Sequence, residues 1–329
     1  MKKNIIKKIF IRISKMLGFE LIDQNEFVSP TLNKELNQNL SNKDKSIVLP
    51  LGEVNLSRKT KSLLILFRTN TNIEIWDQNK KRIFEHPKIE YALRSLNSLI
   101  KSIRYFEQNK DNFKIKLKIL DNGSSDDNLD KIKKLLSNLS YEADLVIHNN
   151  EEHRGLIKKQ KNDDTFSNLS SLLKCFEIGK KADDLVYFVE DDYLHFESSI
   201  EEMIGTFERV SSQINKDIFV CSADYPFLYM DNIKSNILIG NKRHWRTVNK
   251  TLCSFMTSNF LINKYWDNFY NNCLDRHDPF EKYLNQIYEK EICISPLKSL
   301  TIHMTNINSS YGLSPYINYK SLWDENNYK

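Results

Sequence analysis

Residues 185–193 read Leu185-Val186-Tyr187-Phe188-Val189-Glu190-Asp191-Asp192-Tyr193. The apolar run has no polar alternation. It therefore reads as a strand buried on both faces, as parallel strands are between layers of helices. The acids that follow are crowded against a core. Such crowding is costly unless something positive stands among them. A divalent cation meets that need, because hard cations prefer carboxylate oxygens. Alternation along an extended chain sends neighbouring side chains to different faces, so not all three acids need touch the ion. Asp192 is the expected metal ligand, with Glu190 and Asp191 on a ligand's ribose or supporting the site from behind. The plainer reading is a solvated acidic loop after a strand.

Working outward, Ser62–Phe67 (SLLILF) is a second compact apolar run, and Lys114–Leu120 and Asp144–His148 read as further strands. Helical spacing marks residues 86–108 (Tyr91, Leu93, Leu96, Leu99, Ile100, Ile103), 127–139 and 168–181. Strands alternating with helices predict an α/β fold with a mostly parallel central sheet and flanking helices. After about residue 215 the pattern is mixed. The expected organisation is an amphipathic basic helix over 1–20, a polar and partly disordered connecting segment over 21–60, and one domain over 61–329. Within that domain, the regular alternation of 61–195 and the mixed pattern of 196–329 mark two expected halves.

The 329 residues carry a net charge of +5, and the excess is local. Lys2, Lys3, Lys7, Lys8, Arg12 and Lys15 precede the first acid, Glu20. The remainder is near neutral, so no nucleic-acid surface is expected. Ile5, Ile6, Ile9, Phe10, Ile13, Met16 and Leu17 recur at helical spacing opposite those cations, and Gly18 is the expected stop. Residues 4–19 thus fit an anionic membrane surface, or pack on the domain. The five cysteines are odd in number and form no C-x-x-C pair, which predicts reduced thiols rather than a zinc site or disulfide framework. No apolar run approaches the roughly 18 residues of a membrane span. The expected location is cytoplasmic, on the inner face of the cell membrane where the first helix docks.

Other stretches carry candidate chemistry. In Leu120-Asp121-Asn122-Gly123-Ser124-Ser125-Asp126, Asp121 lies at a strand's carboxyl end, where open α/β sheets bind ligands. Its carboxylate can accept a base N–H, Gly123 permits a tight turn, and Ser124, Ser125 or Asp126 can cap the next helix. His303, in Ser299-Leu300-Thr301-Ile302-His303-Met304, can add an imidazole to the metal, or be a buried core histidine. In Asp275-Arg276-His277-Asp278-Pro279-Phe280-Glu281, Asp278 and Glu281 are candidate general bases. The same pattern also reads as a helix start, with Asp278 as cap, Pro279 at the first position and Glu281 closing a capping box. Arg243, Arg246 and Arg154 are phosphate candidates, Arg154 reading equally as part of a surface loop, and Trp245 offers a face for a sugar or belongs to the core. Thr69 belongs to the expected ligand-binding set.

At these residues the chain resembles glycosyltransferases of the GT-A fold, close to the broad family 2 type. The DNGSSD stretch is similar to the family's nucleotide-binding strand end, and EDDY resembles its DXD metal motif in the EDD form. Asn168 begins a helix where the family often has Asn, which adds it to the expected ligand-binding set. HWRTVNKTLCSFM and SPLKSLTIHM resemble a bacterial subgroup. The resemblance spans about residues 60–325. It implies transfer of a sugar from a nucleotide-sugar donor, foremost a UDP-sugar, to a hydroxyl of a glycan or lipid-linked acceptor. It also implies Mn²⁺ or Mg²⁺, with Asp121 reading the base and Asp192 holding the metal. HDPFE stands where the family has a Glu-Asp pair. Attack from the face opposite the diphosphate would invert the anomeric centre. A sugar-nucleotide nucleotidyltransferase is the alternative enzyme, but Phe67-Arg68-Thr69-Asn70-Thr71 lacks the Gly-rich loop such enzymes carry after the first strand. A membrane-surface scaffold with a transferase-like fold is the non-catalytic alternative.

Overall fold

The computed structural model describes residues 2–19, 41–42, 45–48, 52–72, 84–110, 112–137, 139–230, 234–305, 307, 309–314 and 316–328. The chain divides into two compact units, Met1–Asn55 and Leu56–Lys329.

The first unit contains helix α1 (Lys2–Met16), and strands β1 (Ser41–Asn42), β2 (Lys45–Val48) and β3 (Gly52–Asn55) in an antiparallel order β1-β2-β3. α1 ends where Gly18 takes φ +83°, a value only glycine adopts without cost. Its apolar stripe is exposed from Ile5 to Leu17. The strands fall where the sequence reads as an unpatterned connection. Their definition comes from pairing with one another, not from hydrophobic alternation.

The second unit is built on β4 (Ser62–Thr69), α2 (Lys88–Asn109), β5 (Lys114–Asp121), α3 (Asp126–Leu136), β6 (Glu142–Ile147), α4 (Asp163–Gly179), β7 (Leu185–Glu190) and β8 (Tyr193–His195). Next come α5 (Ser199–Ile214), β9 (Phe219–Cys221), β10 (Ile237–Ile239), β11 (His244–Thr247), β12 (Phe255–Ser258), α6 (Asn259–Lys264) and α7 (Trp266–Cys273). α8 (Lys282–Tyr288), β13 (Cys293–Pro296), β14 (Thr301–His303) and α9 (Tyr319–Glu325) complete it. The central sheet has the order β10-β11-β13-β9-β12-β7-β4-β5-β6. β7, β4, β5 and β6 run parallel, and β12 enters antiparallel between β7 and β9. β8 and β14 form a separate antiparallel pair. The expected α/β class, with a mostly parallel central sheet and flanking helices, is the one observed.

The apolar runs explain this arrangement. β7 is buried from Leu185 through Val189, and β4 is almost continuously buried. α2 packs on α5 and α4 on α7, and Phe176, Phe188, Phe255 and Phe269 interlock by edge contacts at the centre. Each such aromatic or aliphatic side chain contributes about 1.5–3 kcal/mol on burial. Two expected helix starts are corrected. α4 begins at Asp163, because Asn162 caps it by accepting from Thr165 N at 2.9 Å; Asn168 lies further along the helix. α8 begins at Lys282, with Asp278 and Pro279 outside it. The expected cap of α3 also changes, since the Ser125 side chain makes no capping bond and Ser124 Oγ accepts from Thr71 N instead.

Candidate active site

The carboxyl ends of β4, β5 and β7 gather the polar groups. Glu190 is the last residue of β7, Asp191 and Asp192 form a turn, and Tyr193 starts β8. β14 pairs with β8 so that His303 sits opposite Tyr193, and their rings stack at 4.6 Å and 7°. This brings Glu190, Asp192 and His303 together, each offering a ligand atom within 4.8 Å of the others. His303 Nε2 lies 3.1 Å from Asp192 Oδ2. Asp192 Oδ1 and His303 Nδ1 are buried and make no close hydrogen bond among the described residues, and the Thr305 hydroxyl stands beside the Asp192 carboxylate and helps to lower its pKa. Buried polar atoms are almost always satisfied, so the unmet atoms of Asp192 and His303 in one corner mark a place built for a ligand. Two carboxylates and an imidazole are a donor set that suits Mn²⁺ or Mg²⁺. The residues present therefore fit such an ion.

The protein also brings its own cations here. β4 and β7 pair in a register that sets Arg68 beside Glu190, and Arg68 Nη2 bonds Glu190 Oε1. Arg68 Nη1 donates to Asn168 O and Oδ1, both at 3.2 Å, and to Ser171 Oγ at 3.0 Å. Lys88 Nζ is 2.5 Å from Asp191 Oδ1 and 4.0 Å from Asp192 Oδ2. Asp191 Oδ2 accepts from Thr69 Oγ1 at 2.9 Å and from Asn70 N at 3.3 Å. Part of the positive charge expected among the three adjacent acids thus comes from the protein itself, because Arg68 pairs with Glu190 and Lys88 with Asp191. Asp191, with both oxygens engaged, is a scaffold for Thr69 and Lys88. Asp192 keeps an oxygen free.

The fields in this corner are strong. Burial disfavours the Asp192 carboxylate, but His303 and then Lys88 outweigh it and hold its pKa below the usual range. Burial disfavours the charged forms of His303 and Lys88 as well, yet their aspartate neighbours raise both pKa values. Glu190 moves the other way. Burial raises it, and Arg68 only partly offsets that.

At the end of β5, Asp121 Oδ1 accepts from Gly123 N at 3.1 Å and Ser124 N at 3.0 Å. Its Oδ2 is buried with no partner among the described residues. Gly123 is needed in this turn, since its φ is +151° and a Cβ there would stand 2.9 Å from Asn70 Nδ2. Asn122 Nδ2 ties the turn to α4 through Ser167 Oγ at 2.7 Å. Beyond β6, His148 Nε2 and His153 Nδ1 share Ser170 Oγ at 2.8 and 2.9 Å. Burial, then His153, lowers the His148 pKa to about 4, so this imidazole is neutral.

Other expected site residues lie apart from this convergence or are already engaged. Asp126 is exposed on the first turn of α3. Arg154 is exposed, pairs with Glu151 at 2.5 Å and lies 4.8 Å from the Phe166 ring. Arg246 is buried against Asp224 Oδ1 at 2.5 Å. Trp245 is fully buried and donates to Glu202 Oε1 at 3.1 Å, so of its two expected readings, sugar platform or core residue, it is the core one. Arg243 donates to Lys298 O at 2.7 Å. Glu281 accepts from Thr251 N, Thr251 Oγ1 and Cys253 N at 3.1, 2.7 and 2.6 Å. Those bonds hold a loop in which Leu252 and Cys253 take φ +53° and +57°. Asp278 is exposed.

The sequence reading misses Arg68 and Lys88 as parts of the site. Arg68 carries a signal, because it breaks the SLLILF run where β4 lies level with Glu190. Lys88 carries a fainter one. A cation at the start of a helix opposes the macrodipole, which favours acids there.

No protein-family model and no curated protein matches the chain. Similar solved structures include the galactosyltransferase LgtC in complex with donor and acceptor sugar analogs, at 14% identity, covering 70% of this chain and 72% of that chain with a TM-score of 0.39. A second is S. aureus TarS 1-349, at 11% identity, covering 74% and 60% with a TM-score of 0.42. A third is UDP-glucose pyrophosphorylase complexed with UDP-glucose, at 9% identity, covering 80% and 97% with a TM-score of 0.42.

Proposed function

We propose that the chain is a glycosyltransferase moving a hexose from a nucleotide-sugar, foremost a UDP-sugar, to a hydroxyl of a glycan or lipid-linked acceptor. In this reading the reaction depends on Mn²⁺ or Mg²⁺ and inverts the anomeric centre. One observation carries it: Glu190, Asp192 and His303 meet at the carboxyl end of a central strand with Asp192 Oδ1 and His303 Nδ1 unpartnered. Held by Asp192 and His303 with Glu190 beside them, a divalent ion supplies Lewis-acid charge for a departing diphosphate. Lys88 adds a fixed positive charge at the same corner. Asp121 Oδ2 accepts the imide N–H of a uracil, and Thr69 and Asn168 line the approach to the acids. Of the two candidate bases, Asp278 has the exposed carboxylate, whereas the Glu281 oxygens are occupied.

The test is a thermal-shift and calorimetric screen of UDP-, GDP-, CMP- and dTDP-sugars with and without Mn²⁺, because a ligand of the folded state stabilises it by mass action. A UDP-sugar should bind tightest with metal, and turnover should release nucleoside diphosphate. Release of pyrophosphate would favour nucleotidyl transfer. Failure of every nucleotide to bind would leave only the scaffold reading.

The exposed stripe of α1, with Lys8, Arg12 and Lys15 on the same helix, supports docking on an anionic membrane surface. Flotation of the full chain with phosphatidylserine vesicles, lost in Ile9→Asp, is the expected result. Equal flotation of both proteins would remove this part of the reading.

A further inference from the structure

We propose that the cavity lined by the 3₁₀ turn Pro226–Tyr229 and by Leu313, Ser314, Tyr316, Ile317 and Asn318 binds a pyranose ring. Its assignment as the acceptor sugar rests on the transferase reading above, whereas the binding itself does not. The cavity holds about 500 Å³ and is walled by Pro226, Tyr229, Leu313, Ser314, Tyr316 and Ile317 among others. A sugar ring presents apolar C–H faces and a rim of hydroxyls. It is matched by aromatic faces with a few fixed polar groups.

Tyr229 is prepared for this. The Arg246 guanidinium lies 4.2 Å from its ring centroid, and its hydroxyl donates to Asp224 Oδ2. Both anchors are buried, so the ring is fixed before any ligand arrives, although the side chain is 53% exposed. Tyr316, on the opposite wall, is 97% exposed and holds φ +63°. A left-handed non-glycine residue costs about 1–3 kcal/mol, and such strain gathers at ligand clamps. Ser314 supplies the polar group. It is 3% exposed, lines the cavity, and its hydroxyl has no hydrogen-bond partner among the described residues. A hydroxyl from a ligand meets that need, whereas an alkyl chain leaves it unmet. One tyrosine pair separates this wall from the acidic corner. Tyr225, next to Pro226, meets the Tyr193 hydroxyl at 2.7 Å, and Tyr193 stacks on His303.

The experiment is saturation-transfer NMR on the full chain, without nucleotide or metal, using methyl glycosides of glucose, galactose and N-acetylglucosamine, with decanoate as the apolar competitor. At least one glycoside should receive saturation on its ring protons. That signal should fall about fivefold or more in both Tyr229→Ala and Tyr316→Ala, and severalfold in Ser314→Ala. Tyr316 is a surface side chain, so its variant keeps the test valid if Tyr229→Ala loosens the turn. Asp192→Asn should leave the glycoside signal unchanged while weakening nucleotide-sugar binding with Mn²⁺, which separates this site from the other. Absence of binding by all three glycosides, survival of the signal in Tyr316→Ala, or saturation of decanoate alone would each overturn the proposal. Glycoside binding without any nucleotide binding would keep the sugar site and remove the transferase reading.

Discussion

Asp184 and Asp192 stand just outside opposite ends of β7, are 7% and 6% exposed, and are used differently. Asp184 is fully engaged. Oδ1 accepts from Arg58 Nη2 at 2.6 Å and Oδ2 from Lys61 N at 2.7 Å. Arg58 is itself fastened to Asp217 Oδ1 at 2.8 Å, and although burial opposes its charge, the two aspartates raise its pKa. Asp192 Oδ2 has His303 Nε2 at 3.1 Å, the Thr305 hydroxyl stands beside the same carboxylate, and Oδ1 makes no close hydrogen bond among the described residues. Burial and a nearby cation therefore do not separate a structural acid from a functional one. The unspent oxygen does. A protein retains such a group at a cost of about 1–3 kcal/mol only if something else fills it.

That contrast is broken most directly by making the same substitution at both ends. Asp184→Asn should lower unfolding stability by about 3 kcal/mol, the low end for splitting a buried pair because Arg58 is partly exposed, and leave Mn²⁺ affinity unchanged. Asp192→Asn should lower Mn²⁺ affinity and transfer by more than about a hundredfold while costing less stability than its counterpart. Urea unfolding and manganese titration read the two effects. Exchange of the two phenotypes would refute the distinction.

Protonation sharpens it next. His148 is buried and neutral, its Nε2 at 2.8 Å from Ser170 Oγ, with its pKa lowered by burial and then by His153 from 6.5 to about 4. Between those values the unfolded chain binds the extra proton. Stability is then full above about pH 6.5 and drains as the pH falls toward 4. For His148 the loss is about 3 kcal/mol at most, and less where solvent screens the ring. His195, lowered by burial to about 3, adds slope of the same sign. Urea midpoints between pH 4 and 7 should fall in the native protein and fall less in His148→Gln. Parallel lines would mean the imidazole titrates as if in water.

Glu281 tests the contrast within the candidate site. Its carboxylate makes three short acceptor bonds to Thr251 and Cys253, so Glu281→Gln should cost about 2 kcal/mol and leave kcat of the folded enzyme within twofold. A large loss of kcat at unchanged stability would make Glu281 the base and Asp278 a bystander.

How much of this was legible beforehand follows the length scale of each signal. β4, β5, β7 and α2 were visible because a strand buried on both faces, or a helix with one buried face, writes its environment into consecutive residues. β9, β10 and β11 were not, and β14 showed as no more than a short strand-like run around His303. They are three or four residues long, and their pairing partners lie far along the chain, as His303 does from Tyr193. The acidic corner was legible for the same reason as β7, being continuous with it. The state of each acid was not. Arg68 and Lys88 reach it from more than a hundred residues upstream, and only the register of β4 on β7 and the start of α2 bring them there. Glu281 read as a helix cap or a base from its neighbours. The loop that consumes it, around Thr251, is set by backbone conformation at Leu252 and Cys253 that no propensity announces.

Lys88 gives the finest test, because it stands on the border between the two kinds of acid. Its ammonium satisfies Asp191 directly and lies 4.0 Å from Asp192 Oδ2, the acid that keeps an oxygen free. Two cations cannot share that carboxylate without repulsion. If Lys88 is an intrinsic counter-charge for an otherwise complete site, Lys88→Met should lighten the competition and tighten Mn²⁺ roughly tenfold, about 1.4 kcal/mol. The same change should weaken nucleotide-diphosphate binding at saturating metal, since a fixed positive charge is lost where the phosphates sit. If Asp191 instead collapses onto the space the lysine leaves, both affinities fall together. Manganese titration followed by calorimetry with UDP separates the outcomes. Opposite movements would mean the lysine and the ion divide the work of holding one diphosphate. Movement together would mean that Asp191 and Asp192 are a single scaffold, and that the unspent oxygen of Asp192 is not what distinguishes this end of β7.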